Sequence, residues 1–175
     1  MTQRVAAYPT PPHGHHPNFL GVAQAAARIE QLSAFREAGT VLAGLDQVLH
    51  ALRRAALVEG KLLLVPHPDR AGIFISLQGP APLAARRVRD LARYGSLLKT
   101  GEFEPDLVLV GSVAVDGQGR RIGKGYGFPP RELWTPAPWA TLVHPIQLYE
   151  TLPVEAENWV RWIATPERIW LASTS

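Results

Sequence analysis

The strongest constraint on the fold lies in residues 105–131, PDLVLVGSVAVDGQGRRIGKGYGFPPR, where an apolar run leads into a glycine-rich basic loop. The run Leu107–Val110 contains no polar residue, which is typical of a strand buried on both faces of a sheet. It ends at the small residues Gly111 and Ser112, and a turn then precedes the loop GKGYG at residues 123–127. Glycines let backbone N–H groups and a lysine approach a phosphate closely. The segment therefore predicts a buried strand that opens towards an anion-binding loop.

Apolar patterns elsewhere predict an alternation of helices and strands. Apolar residues recur at helical spacing over residues 21–35 and again after Asp46, where Gly60 ends the pattern. Asp46 is therefore the predicted N-cap of the second helix and Gly60 its C-cap. Strands are predicted at residues 40–43, 61–65, 73–77, 107–110, 140–143, 160–164 and 168–171. Such an alternation indicates a three-layer α/β domain around a mainly parallel sheet.

Two groups of arginines are predicted to face solvent. Arg53 and Arg54 lie on the second predicted helix. Residues 82–94 combine apolar positions with further arginines and predict an amphipathic helix with a basic outer face. These arginines could line a nucleic-acid groove, but no aromatic residues interleave them as base stacking requires, so a solvated face is favoured. They are Arg86, Arg87, Arg89 and Arg93.

The composition fits one domain with a sizeable core, because 46% of the 175 residues are hydrophobic. We predict a flexible N-terminal arm, rich in proline and histidine, over residues 1–17 and a single domain over residues 18–175. The absence of cysteine excludes disulfides, thiolate zinc sites and thiol catalysis. No apolar run reaches the roughly 18 residues of a membrane span, and no signal-peptide core is recognisable, so a cytoplasmic location is expected.

The loop at residues 123–127 carries the candidate phosphate-binding groups. Lys124 can place a positive charge on a phosphate, and Arg120 or Arg121 can add a planar fork of donors. The spacing matches neither a Walker loop nor a dinucleotide fingerprint, so a loop whose glycines serve only tight turns stays an alternative. Carboxylates are sparse near the loop, and the sequence predicts no metal ligands.

A second candidate group follows the predicted strand at residues 140–143. His144 at a strand end can carry a proton or donate to a ligand, and Gln147 comes three positions later. A histidine that is only hydrogen-bonded within the fold is the alternative. Ser112 lacks the G-x-S-x-G setting of a nucleophile. We count Ser112, His144 and Gln147 as candidate substrate-binding residues.

Six segments recur in a recognisable order and spacing across residues 16–170. They are HPNFLGVAQAA (16–26), ALRRAALVEGKLLLVPHP (51–68), PDLVLVGSVAVDGQGRRIGKGYGF (105–128), TLVHPIQ (141–147), LPVE (152–155) and ATPERIW (164–170). Together they resemble the 5-formyltetrahydrofolate cyclo-ligase family, also called methenyltetrahydrofolate synthetases. The resemblance extends to the divergent branch of methenyltetrahydrofolate synthase domain-containing proteins.

The resemblance implies a Rossmann-like sheet similar to that of the sugar isomerase and CoA-transferase (NagB/RpiA-like) superfamily. It also implies ATP, magnesium and a folate reaction. The formyl oxygen of 5-formyltetrahydrofolate is phosphorylated, N10 then attacks, and 5,10-methenyltetrahydrofolate forms. The family's phosphate and substrate loop falls on Gly123, Lys124, Gly125, Tyr126 and Gly127, with Arg121 at its basic approach. Lys124 and His144 are then the candidate catalytic residues, and Tyr126 joins the candidate substrate-binding residues.

This sequence departs from the family pattern at acidic positions. Pro130 replaces the aspartate that follows the family's glycine loop, and Pro145 replaces the acid of the family pattern VHDxQ. The basic N-terminal helix that helps to hold ATP is represented only by Arg4. Loss of metal-holding carboxylates weakens the use of ATP and magnesium. Two functions are therefore open, a cyclo-ligase or its degenerate derivative, and a non-catalytic protein that binds a nucleotide, a folate or another protein.

The expected partner is a small-molecule ligand, and neither a membrane nor a nucleic acid is expected. Trp134 and Trp139 lie in a proline-rich segment and could dock a partner or a second subunit. The alternative is that they close over the core. Both a monomer and a homodimer fit the sequence.

Overall fold

The computed structural model describes residues 7–8, 18–124, 128–130 and 133–173. In these ranges the helices are α1 (Val22–Glu30), α2 (Ser33–Arg36) and α3 (His50–Val58). The strands are β1 (Ala7–Tyr8), β2 (Asn18–Phe19), β3 (Thr40–Ala43), β4 (Leu62–Pro66), β5 (Ile73–Leu77), β6 (Ser96–Lys99), β7 (Leu107–Val110), β8 (Ala114–Asp116), β9 (Arg120–Ile122), β10 (Trp139–Leu142), β11 (Leu148–Tyr149), β12 (Asn158–Trp159), β13 (Trp162–Ala164) and β14 (Ile169–Leu171). The predicted N-terminal arm lies outside the described residues except for β1, which pairs antiparallel with β2.

Eight strands form the main sheet in the order β14-β13-β10-β7-β3-β4-β5-β6. The strands from β13 to β4 are parallel to one another, whereas β14, β5 and β6 join the two edges antiparallel. Strand β7 pairs with β3 and β10, and all of its residues are buried, as its apolar run predicts. The prediction of a mainly parallel sheet is therefore confirmed.

The main sheet has a different cover on each face. Val41 and Ala43 of β3 face the side where residues of α1 and α3 complete one core. Leu42 faces the opposite side, where it joins a second core with Val115 of β8 and Phe128. Strand β8 belongs to a small sheet with the order β11-β8-β9-β12. The three layers are thus helices, the main sheet, and a small sheet with its flanking segments.

The predicted helix over residues 21–35 is divided in two. The backbone of Leu32 is extended, so α1 ends before it and α2 begins after it. The second predicted helix begins with a 3-10 turn at Gln47–Leu49 and continues as α3. Asp46 is the N-cap residue of that turn, as predicted, but its side chain makes no capping bond. Gly60 follows the helix with a φ of +77°, which agrees with a C-terminal glycine.

The predicted amphipathic helix over residues 82–94 is wrong. The chain there forms two 3-10 segments, Ala81–Ala84 and Val88–Tyr94, and the second has no buried residue. From this region Pro82 is buried, and Leu83, Leu91 and Ala92 pack partly buried against the core. A helix needs an apolar face to pack, and so few contacts do not provide one. The arginines of this segment are exposed, as predicted.

The two tryptophans of the proline-rich segment have different surroundings. Trp134 is 83% exposed, whereas Trp139 begins β10 and is partly buried. Trp139 therefore closes over the sheet, and Trp134 offers an aromatic surface to solvent. Within the described ranges, no helix is both long enough and apolar enough to span a membrane.

Candidate functional site

A large open cleft lies beside the carboxyl ends of β3 and β4 and has a volume of about 1330 Å³. One wall comes from the loop after β4, which includes His67, Asp69 and Arg70. The opposite wall comes from β9 and the residues after it, together with the segment that precedes β12. Ligands of open parallel sheets bind at the carboxyl ends of strands, so the cleft occupies the expected place for a site.

The cleft has an apolar wall and a charged wall. The apolar wall contains Phe128, Leu133 and Trp139, which accommodate flat, apolar ligand groups. The charged wall contains Asp46, Arg121, Gly123, Lys124 and Glu157. A ligand that fits both walls combines a ring system with an anionic group.

Lys124, the predicted phosphate-binding lysine, lines the cleft, and its contact with a phosphate stays a prediction. Its Nζ lies 3.8 Å from Oδ1 of Asp46, and its side chain is 21% exposed. Gly123 precedes it, and the N–H of Gly123 donates to Oε2 of Glu157 at 3.0 Å. The first two residues of the predicted loop thus border the cleft, with a cation and an amide beside carboxylates. Gly125, Tyr126 and Gly127 lie outside the described residues.

Arg121 is fully buried behind this wall. Its Nε donates to the carbonyl of Gly111 at 2.9 Å and to Oγ of Ser112 at 3.1 Å, and its Nη1 donates to Oδ1 of Asn158 at 2.9 Å. Burial lowers the pKa of Arg121 to about 10, while the carboxylates of Glu157 and Asp46 act in the opposite direction. Arg121 is therefore charged at neutral pH. It ties β9 to the end of β7 and adds positive potential to the cleft.

Arg53 lies behind the cleft and does not line it, and the prediction that it faces solvent is wrong. Its side chain is buried, and Nη1 donates to the carbonyls of Gly44 and Asp46 at 2.7 and 2.8 Å. Burial lowers the pKa of Arg53 to about 10, and the carboxylate of Asp46 opposes this shift. The only signal in the sequence is the helical spacing that places Arg53 close to the buried Leu52 and Ala56.

Ser112, His144 and Gln147 form a separate group that does not line the cleft. Oγ of Ser112 lies 2.6 Å from Oγ1 of Thr141, and Nε2 of Gln147 donates to the Ser112 carbonyl at 2.8 Å. Oε1 of Gln147 accepts the N–H of His144 at 2.9 Å. Arg121, which lines the cleft, donates to Ser112 and so links the group to the cleft. Its predicted contact with substrate stays a prediction.

The imidazole of His144 caps the 3-10 turn Pro145–Gln147. Nδ1 accepts the N–H of Ile146 at 3.1 Å, and the ring packs edge-on against Phe19 with 6.1 Å between ring centroids. Because Nδ1 is an acceptor, the proton of the neutral ring lies on Nε2. The structural role that the sequence left open is therefore present, and Nε2 is the atom through which His144 could act on a ligand.

Metal ligands do not cluster in the described part of the chain. In those residues no group of three or more His, Asp or Glu side chains is placed to hold a metal ion. Pro130, which replaces the family's aspartate, lines the cleft. We therefore assign no magnesium site to these side chains.

The sequence pattern of the 5-formyltetrahydrofolate cyclo-ligase family matches residues 10–163. The chain belongs to this family. Among its relatives are methenyltetrahydrofolate synthase domain-containing proteins of Mus musculus, 33% identical over 94% of this chain, and of Homo sapiens, 32% identical over 96%. That of Danio rerio is 35% identical over 74% of this chain. The chain spans half or less of the length of these relatives, from 36% to 50%.

A solved structure supports the cyclo-ligase fold. The NMR structure of Aquifex aeolicus 5,10-methenyltetrahydrofolate synthetase superimposes with a TM-score of 0.65, at 21% sequence identity. The match covers 89% of this chain and 82% of that one. This likeness establishes the fold of the cyclo-ligase family for this chain. The analogy with sugar isomerases and CoA-transferases stays a prediction.

Proposed function

We propose that the chain binds a nucleotide and a reduced folate in the cleft and catalyses the ATP-dependent cyclisation of 5-formyltetrahydrofolate. The observation that carries this proposal is that Lys124 and Gly123 line the same cleft as the apolar side chains of Phe128, Leu133 and Trp139, which can take a ring system. Membership of the cyclo-ligase family supplies the reaction.

The chain's own groups suit the charges of this reaction. ATP supplies a phosphoryl group to the formyl oxygen, after which N10 attacks the formyl carbon, phosphate leaves and the N10 proton is lost. The Lys124 ammonium can stabilise charge on the transferred phosphoryl group, and the N–H of Gly123 can donate to one of its oxygens. The buried charge of Arg121 adds positive potential behind them. The apolar wall can hold the pterin ring and exclude water from the reacting atoms.

Magnesium enters this proposal only with the nucleotide. Proteins commonly hold Mg²⁺ through one or two carboxylates together with substrate phosphates and water. The cleft offers Asp46, Asp69, Glu155 and Glu157 as separate carboxylates. No step is assigned to the metal.

The test compares Lys124→Ala with Lys99→Ala, because Lys99 is exposed on the edge strand β6. Formation of methenyltetrahydrofolate is followed by its near-ultraviolet absorbance, with ATP affinity measured in parallel. We expect Lys124→Ala to lower kcat/KM at least about tenfold, the effect of losing roughly 1.4 kcal/mol, and Lys99→Ala to match the wild type. Absence of turnover at high protein concentration, with no effect of ATP or folate on the melting temperature, would overturn the proposal.

A non-catalytic binding protein is the second candidate. Its supporting observation is Pro130 in the cleft wall, at the position of the family's aspartate. This version predicts that ATP or a reduced folate raises the melting temperature without any turnover. A protein partner could instead use Trp134, which is exposed. The cyclo-ligase and the non-catalytic ligand-binding protein would use the same cleft, and they differ in whether the bound ligand reacts.

A further inference from the structure

Two donors at the start of the glycine loop, the Lys124 ammonium and the Gly123 N–H, already lie beside carboxylates from distant parts of the chain. Lys124 Nζ lies 3.8 Å from Asp46 Oδ1, and the N–H of Gly123 donates to Oε2 of Glu157 at 3.0 Å. Asp46 follows β3, whereas Glu157 precedes β12. An ammonium and a backbone N–H are the donors that oxygens of a bound phosphate require. The protein's own carboxylates thus use the interactions that a ligand would need.

We propose that Asp46 and Glu157 are internal counter-anions that determine which anions the cleft accepts. This inference rests on the proposed function, because it concerns the same loop. An incoming anion must displace these carboxylates from their donors or lie beside them and be repelled. A singly or doubly charged ion gains too few contacts to offset that repulsion. A nucleoside triphosphate gains more, because several phosphate oxygens can contact the wall while its base contacts the apolar side.

The two carboxylates differ in how easily they can move away. Asp46 is buried, and Arg53 holds its backbone carbonyl at 2.8 Å. It therefore stays in the wall when a ligand binds. Glu157 is exposed: its backbone N–H donates to the Arg121 carbonyl at 2.9 Å, and its carboxylate accepts the Gly123 N–H at the protein surface. Its side chain can rotate into solvent and release the N–H of Gly123.

This difference predicts unequal effects of neutral substitutions. Asp46→Asn removes a charge that the ligand cannot displace, so it should strengthen the binding of every anion. Glu157→Gln removes a charge that can rotate away, so its effect should be smaller. Each substitution should raise the affinity for inorganic phosphate by a larger factor than the affinity for ATP, because phosphate has fewer other contacts in the cleft. The result is a loss of discrimination between the two ligands.

The experiment measures binding of inorganic phosphate and of ATP to the full chain by calorimetry, without magnesium. Asp69→Asn and Glu155→Gln are matched controls, because each removes one exposed carboxylate from the wall of the same cleft. We expect Asp46→Asn to tighten phosphate binding about tenfold, equal to 1.4 kcal/mol. In the control variants the affinity for phosphate should stay within about twofold of the wild type, because 0.15 M salt screens the charges of the more distant carboxylates. Asp46→Glu, which keeps the charge, should not reproduce the gain.

A double-mutant cycle tests whether the gain acts through Lys124. In a Lys124→Gln background the effect of Asp46→Asn should be smaller, because the part that acts through the Lys124 ammonium is lost while the direct repulsion of the anion is still relieved. Melting curves without ligand show whether each variant folds, and the exposed Glu157→Gln provides the test if Asp46→Asn does not. Equal gains in the controls, or a gain that is independent of Lys124, would overturn the inference while ATP binding by the wild type still supports the proposed function. If no variant and no wild-type protein binds either ligand, both proposals fall.

Discussion

The guanidinium of Arg53 donates to the backbone carbonyl of Asp46 at 2.8 Å, so an arginine on α3 holds the turn that delivers a carboxylate to the cleft. The same nitrogen donates to the Gly44 carbonyl at 2.7 Å. Neither carbonyl belongs to the ladder of the main sheet at this point, and both lie in a buried turn. Arg53 thereby joins the end of β3 to the first turns of the following helix.

Substitution of Arg53 by methionine should destabilise the fold. It leaves the buried Gly44 carbonyl without this donor, whereas the Asp46 carbonyl keeps the N–H of Leu49 at 3.0 Å. Because an unsatisfied buried acceptor costs about 1–3 kcal/mol, we expect a loss of about that size in the free energy of unfolding, measured by urea denaturation. Arg54→Met is the matched control, since Arg54 is exposed, and it should stay within about 0.5 kcal/mol of the wild type. Similar losses in both variants would contradict the role of Arg53.

Asp116 should make stability depend on acid pH. Burial raises the pKa of this fully buried carboxylate, but hydrogen bonds from the Leu152 N–H, the Arg120 side chain and the Arg120 and Gln118 N–H groups outweigh it, so the pKa lies below its ordinary 3.8. A carboxyl group whose pKa is lower in the folded state stabilises the protein above its unfolded pKa, and this contribution is lost as pH falls below about 4.

The measurement is the free energy of unfolding of wild type and Asp116→Asn between about pH 6 and pH 2. The wild type should be the more stable protein at pH 6, and the difference should shrink as the pH falls. Asp69→Asn is the control, because Asp69 is exposed and its carboxylate accepts none of these bonds. A difference that does not change with pH would exclude this explanation.

The turn between β8 and β9 requires glycine at position 119. Gly119 has a φ of +86°, and a Cβ atom there would lie 2.1 Å from the carbonyl oxygen of Val160. Gly119→Ala should therefore lower the melting temperature, at a cost of at least about 1–3 kcal/mol from the backbone strain alone. Gly117→Ala in the same turn meets no atom within 4 Å and should be tolerated. Equal melting temperatures would disprove the close contact.

Substitutions can separate the capping role of the His144 side chain from its predicted catalytic role. In His144→Asn the amide oxygen can replace Nδ1 as the acceptor for the Ile146 N–H, because asparagine is a favoured N-cap. We expect His144→Asn to keep most of the stability and His144→Ala to lose about 1 kcal/mol, measured by thermal unfolding. Turnover by His144→Asn then reports on the imidazole itself, and an equal loss of stability in both variants would argue against the cap.

Local apolar patterns determined much of the fold. The uninterrupted run at Leu107–Val110 predicts a strand buried on both faces, and β7 is such a strand at the centre of the main sheet. Residues 40–43 and 73–77 likewise form the predicted strands β3 and β5. These predictions succeed because burial of an apolar run decides both the local conformation and its place in the sheet.

Polar residues were harder to interpret, because their partners are distant in sequence. Arg53 has a charged side chain, which favours a surface position, but its donors meet carbonyls that only the turn after β3 brings close. Asp46 precedes a helical turn as an N-cap would, but its carboxylate lies beside Lys124, which is far along the chain. Residues 82–94 have the composition of an amphipathic helix, and too little of the core lies next to them to support one.

The sequence alone determined the family, the mainly parallel sheet and the presence of a lysine and glycines after a buried strand. These properties depend on residue order and on local apolar pattern. Only the tertiary structure decided which charges share the cleft, since it places Asp46 and Glu157 beside Lys124 and Gly123. The free energy of a charge depends on its neighbours in space and on its burial, and neither can be read from positions along the chain.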